Sequence, residues 1–311
     1  MADVQFDVVA LGEPLLEFNQ VHRDDPTSYR QGFGGDTSNC IIAAARLGAG
    51  TAYVTRLGDD AFGRMFLELW QREGVDARGV GVDPFAPTGI YFVTHGLNGH
   101  EFSYRRAGSA AARMRPDDVP LDVIRGGRVL HVSGISQAIS DSACDSVFLA
   151  IDVARTAGAR ISYDSNLRLK LWPLARARAV IAATIALCDW FLPSLEEAML
   201  LSGKHEPEAI LDWAHACGAP VVVLKMGADG CWVSAQDTRE HVRGNPVDAC
   251  DATGAGDCFD GAFVARIVAG DAPIDAARYA NAAAALATTG YGAVAPLPRH
   301  PDVVGFMKAS R

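Results

Sequence analysis

No apolar stretch in the 311-residue sequence reaches the roughly 18 residues that a membrane-spanning helix needs; the best candidate, Ala179 to Leu187, is short and meets Asp189. The first residues, MADVQFDVVALGEP, have no basic region ahead of their apolar run and reach Asp7 at once, so they read as a first strand rather than a secretion signal. Positive charge is in deficit. The 28 Lys plus Arg stand against 37 Asp plus Glu, a formal charge of −9, which makes nucleic acid a poor partner. The seven cysteines, Cys40, Cys144, Cys188, Cys217, Cys231, Cys250 and Cys258, are odd in number and dispersed. Without a CxxC pair they support neither a zinc knuckle nor a thioredoxin motif, and they are expected to be reduced thiols of a cytoplasmic protein. His95, His100 and His131 share no metal-ligand spacing. There is no GxxxxGK[ST], which excludes a Walker-type nucleotide loop, and there is no internal repeat or low-complexity linker.

Apolar residues make up 49% and charged residues 21%, and the length allows a sizeable core without staples. Short apolar runs alternate with helical patterns. Strands are expected at Val8–Leu11, Ala52–Thr55, Val129–Val132, Arg160–Tyr163, Trp190–Leu192 and Val221–Leu224. Between them, helices are expected at Thr37–Leu47, Ala61–Glu73, Ser142–Ala157, Leu174–Leu187, Leu195–Leu201 and Glu208–Cys217, and Ala-rich helices at Gly256–Ala269, Ile274–Thr288 and Pro301–Ala309 close the chain. This rhythm predicts an α/β fold with a mostly parallel sheet covered on both faces. Two segments break it. Residues 13–33 show no helix, and residues 88–106 read as two alternating strands around the turn Gly96–Leu97–Asn98–Gly99. They are expected to form a small β lid on a single domain spanning residues 1–311.

The strongest chemical signal is Asp251-Ala252-Thr253-Gly254-Ala255-Gly256-Asp257-Cys258-Phe259-Asp260-Gly261, placed after an expected strand end at Pro246–Cys250 and opening an apolar helix. Small residues let a ligand approach the backbone, and the orphan N–H groups of a helix start make an anion site. Asp257 at its centre would repel a phosphate unless it serves as a general base toward a hydroxyl. Equally, it could simply N-cap the helix above a tight turn. A dinucleotide fingerprint fails, because Phe259 stands where GxGxxG needs its last glycine.

A second cluster, Gly32-Phe33-Gly34-Gly35-Asp36-Thr37-Ser38-Asn39, leads into a helix ending Arg46-Leu47-Gly48. Taken with the late motif, with Gly58–Asp59, with the Lys-x-Gly-x-x-Gly of Lys225–Gly230 and with Gly290-Tyr291-Gly292-Ala293, the chain resembles the ribokinase-like (PfkB) carbohydrate kinases over nearly its whole length. That resemblance implies a three-layer α/β/α sandwich with a β lid, and MgATP-dependent phosphorylation of a sugar hydroxyl. It would make Asp257 the catalytic base and the amides of Gly254, Ala255 and Gly256 the anion hole. It places Gly34, Gly35 and Asn39 at the sugar. Lys225, Gly227, Gly230, Thr253 and Asn281 fall along the nucleotide. The family's Asn-x-x-Glu, which organises Mg²⁺ water, falls at Ser194 to Glu197, with Ser in place of Asn. A monovalent cation such as K⁺ would sit near Asp251 and Thr253. Family lids often pair between chains, so a homo-oligomer, a dimer through the lid or higher, is expected; Ile90, Phe92 and Phe102 could serve such a contact or equally well pack under the lid.

The TGIYF, YRRAGSA, D-x-N-x-R-x-x-LW and TTGYGAVAP segments are similar to the 2-keto-3-deoxygluconate kinase branch of that family. The branch implies a six-carbon 2-keto acid, phosphorylated to its 6-phosphate, with its carboxylate held by Tyr91, Arg105 and Arg168. Two convergent guanidiniums suit a carboxylate. Ser103 stands where the family often has Tyr, on the face of Arg105. Glu13 could face the substrate or shape a turn. A neutral-sugar kinase of fructokinase or ribokinase type, or a sugar- or nucleotide-binding regulator, are the alternatives.

Overall fold

Val8 and Ala10 face one way along the first strand and Val9 and Leu11 the other, and all four are buried in two separate cores. A strand apolar on both faces must be covered on both. The computed structural model, which describes residues 4–96, 99–235 and 238–309, shows how. Its strands in chain order are β1 (Phe6–Leu11), β2 (Leu15–His22), β3 (Asp25–Gly34), β4 (Thr51–Gly58), β5 (Val75–Asp83), β6 (Ile90–Gly96), β7 (Gly99–Arg105), β8 (Gly127–Ser133), β9 (Arg160–Asp164), β10 (Trp190–Phe191), β11 (Val221–Lys225), β12 (Cys231–Ala235) and β13 (Thr238–Val242). The helices are α1 (Asp36–Arg46), α2 (Ala61–Glu73), α3 (Leu121–Arg125), α4 (Gly134–Ala138), α5 (Asp141–Thr156), α6 (Leu174–Ile185), α7 (Leu195–Ser202), α8 (Pro207–Ala216), α9 (Ala255–Val268), α10 (Pro273–Ala287) and α11 (His300–Ala309). Among the described residues, no helix is long and apolar enough to cross a membrane.

Nine strands form one sheet in the order β13-β12-β11-β10-β9-β8-β1-β4-β5, parallel except for the β11-β12-β13 edge. One face carries α1, α2, α9, α10 and α11 over Ile41, Phe66, Trp70 and Phe263; the other carries α5, α6, α7 and α8 over Val147, Ile181, Phe191 and Leu211. From β1 the chain runs outward through β4 and β5, then returns to β8 on the other side. Such a reversal opens a crevice at the carboxyl ends of the strands. The chain places Glu13 after β1, Asp164 at the end of β9 and Lys225 at the end of β11 there.

The smaller sheet, in the order β3-β2-β6-β7, is built from the two irregular segments. β2 pairs antiparallel with β3 and parallel with β6, and β6 pairs antiparallel with β7 in the register Tyr91↔Tyr104. The turn expected at Gly96–Gly99 has its two middle residues, Leu97 and Asn98, outside the described residues.

Five elements were not anticipated: the short helices α3 and α4 and three strands of the large sheet. β5 and β13 are the opposite edges of the large sheet, half exposed, where the apolar alternation fades, and the more buried β12 joins β13 to β11. Residues 246–250 form no strand: Cys250 and Asp251 both donate their N–H to Thr288 O, at 2.7 and 3.1 Å, which ties an irregular loop to the end of α10. Pro246 also lacks a ladder donor. Helix α9 lies close against α1 because residue 261 is glycine. A Cβ there would stand 2.3 Å from Cys40 O. That close approach brings the first turns of both helices to one place.

Candidate active site

A cleft of about 1520 Å³ lies between the carboxyl ends of the large sheet and the inner face of the small one. Its centre is the first turn of α9. Gly254 takes a left-handed φ of 75°, and a Cβ on it would come within 2.9 Å of Ala293 Cβ, so glycine is required on both counts. The loop before it is pinned by Asp251: Oδ1 accepts from Thr253 N–H at 2.9 Å and from its hydroxyl at 2.6 Å, and Oδ2 accepts from Gly292 N–H at 2.9 Å. Gly254 is the N-cap of α9 and carries no side-chain cap, so Asp257 does not serve as one. Of the three amides expected to form the anion hole, that of Ala255 is spent on Ala252 O at 3.1 Å. The N–H groups of Gly256 and Asp257 belong to the orphan set of the helix start.

Asp257 lines the cleft, and its Oδ2 accepts from Asn39 Nδ2 at 2.8 Å. Burial pushes its carboxyl up to about 7; the charges of Asp36 and Asp164 add to this, while the Asn39 hydrogen bond and Lys225 oppose it. A carboxylate of that proton affinity, beside backbone N–H groups that attract anions, can take a proton from a hydroxyl at neutral pH.

On the lid side the cleft is lined by Tyr91, Phe102, Tyr104 and Arg106, and here the expectation needs correcting by one residue. In the β6-β7 register Tyr104 is the cross-strand partner of Tyr91, and the two rings stack at 5.7 Å. Partners in a ladder point to the same side, so Ser103 and Arg105 point to the other. Arg105 is exposed, donates to Tyr104 O and lies outside the cleft. Arg106 replaces it: its Nε donates to the buried Glu13 at 2.7 Å, and Ser109 Oγ donates to the other Glu13 oxygen at 2.7 Å. Tyr104, not Ser103, lines the cleft. Glu13 lines the cleft, with both carboxylate oxygens covered by Arg106 and Ser109. Gly34 does not open onto the cleft either. A Cβ there would meet the Tyr91 hydroxyl at 2.6 Å, so Gly34 makes room for that ring, which donates to the buried Glu17.

The floor comes from the main sheet. Gly35, Asp36 and Asn39 start α1, and Asn166 follows β9 with φ 30° and donates to Asp36 Oδ2 at 3.3 Å. Asp36 Oδ1 and Asn39 Oδ1 are buried without a hydrogen-bond partner beside the cleft. Arg168 donates to Glu197 Oε1 at 3.2 Å, and Ser165 donates to Glu197 Oε2 at 2.8 Å. Ser194 is the N-cap of α7, accepting from Glu197 N–H, which accounts for a serine there structurally.

The other half of the cleft is lined by Gly227, Gly230, Thr253, Val247 and Ala285, small or apolar groups suited to a flat ring. Asn281 also lines it, but both of its amide donors are engaged, by Val242 O at 3.1 Å and Arg243 O at 3.2 Å. Lys225 does not extend along this half. Its ammonium turns inward to Asp260 and Asp164. Sequence reasoning missed Arg106, Tyr104 and Asp260. For Arg106 and Tyr104 the signal lay in the alternation of the strand; Asp260 carried none.

Residues 5–300 match the pattern of the pfkB family carbohydrate kinases, and the chain belongs to that family. It is 36% identical to "Probable fructokinase-4" of Arabidopsis thaliana, with 97% of each chain covered. It is also 36% identical to a 2-dehydro-3-deoxygluconokinase of Thermoproteus tenax, over 99% of this chain and 96% of that one. A fructokinase of Vibrio cholerae O395, solved with fructose, ADP and calcium ion bound, superposes with a TM-score of 0.87 at 30% identity, over 96% of this chain and 98% of that one. The protein is thus a sugar kinase of ribokinase-like fold, which leaves the regulator alternative behind.

Proposed function

We propose that this kinase uses ATP to phosphorylate the terminal hydroxyl of a six-carbon 2-keto-3-deoxy sugar acid, giving the 6-phosphate. The observation that carries this reading is one cleft holding Asp257 at the start of α9 and, across it, the guanidiniums of Arg106 and Arg168 with the phenol of Tyr104. The substrate carboxylate would lie between the two arginines, and the far hydroxyl of the extended chain would reach Asp257. Asp36 and Asn39, which line the cleft between them, would meet the hydroxyls in between. Asp257 takes the hydroxyl proton as the oxygen attacks the γ-phosphorus. The amides of Gly254, Gly256 and Asp257 receive the charge on the migrating group, so that catalysis is mainly positioning and charge stabilisation. Gly227, Gly230 and Thr253 would hold the nucleotide, with Asn281, its donors spent on Val242 and Arg243, shaping the wall beside it, and the 2-dehydro-3-deoxygluconokinase relative supports the acceptor class.

Among the described residues, no three acidic, histidine or cysteine side chains converge as a metal cage. Magnesium held by nucleotide phosphates needs only one or two carboxylates, and the partly buried Glu197 at the cleft fits that demand. Bound there, the ion would neutralise charge on the phosphates. At Asp251, Oδ1 accepts from the Thr253 N–H and hydroxyl and Oδ2 from the Gly292 N–H; a carboxylate oxygen can accept more than one partner, and Oδ2 would contribute to a potassium site.

A second reading, a neutral ketose as acceptor, is favoured by a specific feature: Arg106 and Arg168 are already paired, with Glu13 and Glu197. Coupled detection of ADP with 2-keto-3-deoxygluconate, fructose and ribose decides between them. The expected result is a kcat/KM at least about tenfold higher for the keto acid, a difference of about 1.4 kcal/mol; a preference for fructose would overturn the acid reading.

The pH dependence has a definite sign. Asp257 must be ionised to accept a proton, and its carboxyl is held near 7. The kcat/KM profile should therefore fall below about pH 7. In Asn39→Ala a hydrogen bond that favours the charged form is lost, so that limb should move to higher pH. A limb near pH 4 in both proteins would remove Asp257 from the role.

A further inference from the structure

Asp260 is fully buried and stands three residues after Asp257, nearly one helical turn along α9. Each of its carboxylate oxygens accepts from Lys225 Nζ at 2.9 Å. The ammonium also faces Asp164 Oδ1 at 3.4 Å, beyond the usual reach of a charge-assisted bond. The same ammonium lies beside the start of α9, since a Cβ built on Gly256 would stand 3.8 Å from Nζ. Lysine ammonium, orphan amides and the Asp257 carboxylate thus border one small volume at the middle of the cleft.

Stability does not explain this pair. Removing an aspartate and a lysine from water is costly, and apolar groups of similar size in their place are often no worse. The grip of Asp260 instead fixes a flexible side chain. A lysine following the backbone out of β11 would run along the nucleotide half of the cleft, whereas this one is drawn back to the helix start. The ammonium is held closely by Asp260 and only loosely by Asp164.

We propose that Asp260 is a positioning residue that holds the Lys225 ammonium at the first turn of α9, where an N–H not held by Asp260 turns from Asp164 to an oxygen of the migrating phosphoryl group. The proposal rests on the kinase reading above and deepens it by adding a side-chain cation to the backbone amides. During transfer the bond from phosphorus to the ADP oxygen breaks, the bond to the sugar oxygen forms and the hydroxyl proton goes to Asp257. Lys225 keeps all its protons throughout. Its positive charge also favours the ionised form of Asp257, which is otherwise faced by Asp36 and Asn39 of α1, Asp164 of β9, Arg168 of the following loop and Tyr91 of the lid.

The test compares Lys225→Met, Lys225→Arg, Asp260→Asn and the double variant Lys225→Met/Asp260→Leu, which removes both charges from the buried pair. In the full-length enzyme, Lys225→Met and the double variant should lose about 100-fold in kcat, as removal of one donor to a developing oxyanion does, with KM for ATP changed less than about threefold. Asp260→Asn should lose less. Lys225→Arg should recover part of the loss, and the acid limb of the kcat profile should move up in pH in Lys225→Met. A double variant with wild-type melting temperature and kcat within about twofold of wild type would overturn the proposal. So would a loss of activity that merely tracks the loss of folded protein, with the pH profile unmoved. Asp257→Asn is the control: if it is inactive while Lys225→Met is fully active, only the lysine inference falls. If wild type phosphorylates no sugar, the kinase reading fails and takes this inference with it.

Discussion

Asp257→Asn should lower kcat by about 1,000-fold while leaving both KM values within about threefold of wild type, since a positioned general base contributes roughly 10²–10⁴-fold. The substitution keeps the shape of the side chain and removes only its ability to take a proton. The site also accommodates it. The Asn39 amide that donates to Asp257 can still donate to an amide oxygen, and the buried Asn39 Oδ1, unpartnered in the wild type, can accept from the new NH₂. The loss should therefore be chemical and not structural. The same variant should be more stable than wild type at pH 8. Burial and the charges of Asp36 and Asp164 raise the folded-state carboxyl from 3.8 to about 7, so the folded chain binds this proton more tightly than the unfolded one. The cost of keeping Asp257 charged is full above about pH 7 and fades as pH falls toward 3.8. Three units correspond to about 4 kcal/mol at most, enough to raise the melting temperature by several degrees at pH 8 and hardly at all near pH 4. Melting curves at the two pH values, read beside kcat, check both halves. Near wild-type turnover would remove Asp257 as the base, and equal melting temperatures at pH 8 would remove the electrostatic account of its poise.

Where the sequence carried a periodic or local signal, it was legible. The two-faced apolar runs of β1, β8 and β11 announced a sheet covered on both sides, and the Gly-Ala-Gly-Asp turn announced a helix start able to hold an anion. The edges were harder. β5 and β13 are half exposed, so their alternation is diluted by Arg, Glu and Gly, and nothing marks them against a loop. The lid showed that alternation places side chains only up to a choice of face. Phe102 and Tyr104 lie on one face and Ser103 and Arg105 on the other, and only pairing with Tyr91 decides which face meets the cleft. Long-range pairs were the least visible. Lys225 and Asp260 are 35 positions apart, and Asn39 and Asp257 are 218 apart; their meeting depends on α9 lying against α1 at Gly261.

Arg168→Met should raise KM for the keto acid by about 100-fold, equivalent to about 2.7 kcal/mol, and change KM for fructose by less than about threefold. The argument turns on which arginine has charge to spare. Arg106 is nearly buried, with its guanidinium committed to Glu13, so it presents to a ligand a pair whose charges largely cancel. Arg168 is about half exposed at the cleft wall, with its side chain 47% accessible, and meets Glu197 through one nitrogen at 3.2 Å. Glu197 is further supported by Ser165. A substrate carboxylate can therefore draw on the remaining donors of Arg168 without breaking the Glu197 contact, and closure over it would remove the water that weakens such pairs at a surface. Methionine keeps the length and apolar stem of the side chain and deletes only the cation. A hydroxyl in place of the carboxylate has little to lose, which is why fructose should be nearly indifferent. The alternative is that Arg168 acts through Glu197. Burial and Asp164 raise the Glu197 carboxyl and Arg168 opposes them, so loss of the arginine would leave Glu197 more readily protonated. In that case turnover of both sugars should fall together and be restored by higher magnesium or higher pH. An equal loss for keto acid and fructose would assign Arg168 to the metal side of the cleft and leave the acid preference without its anchor.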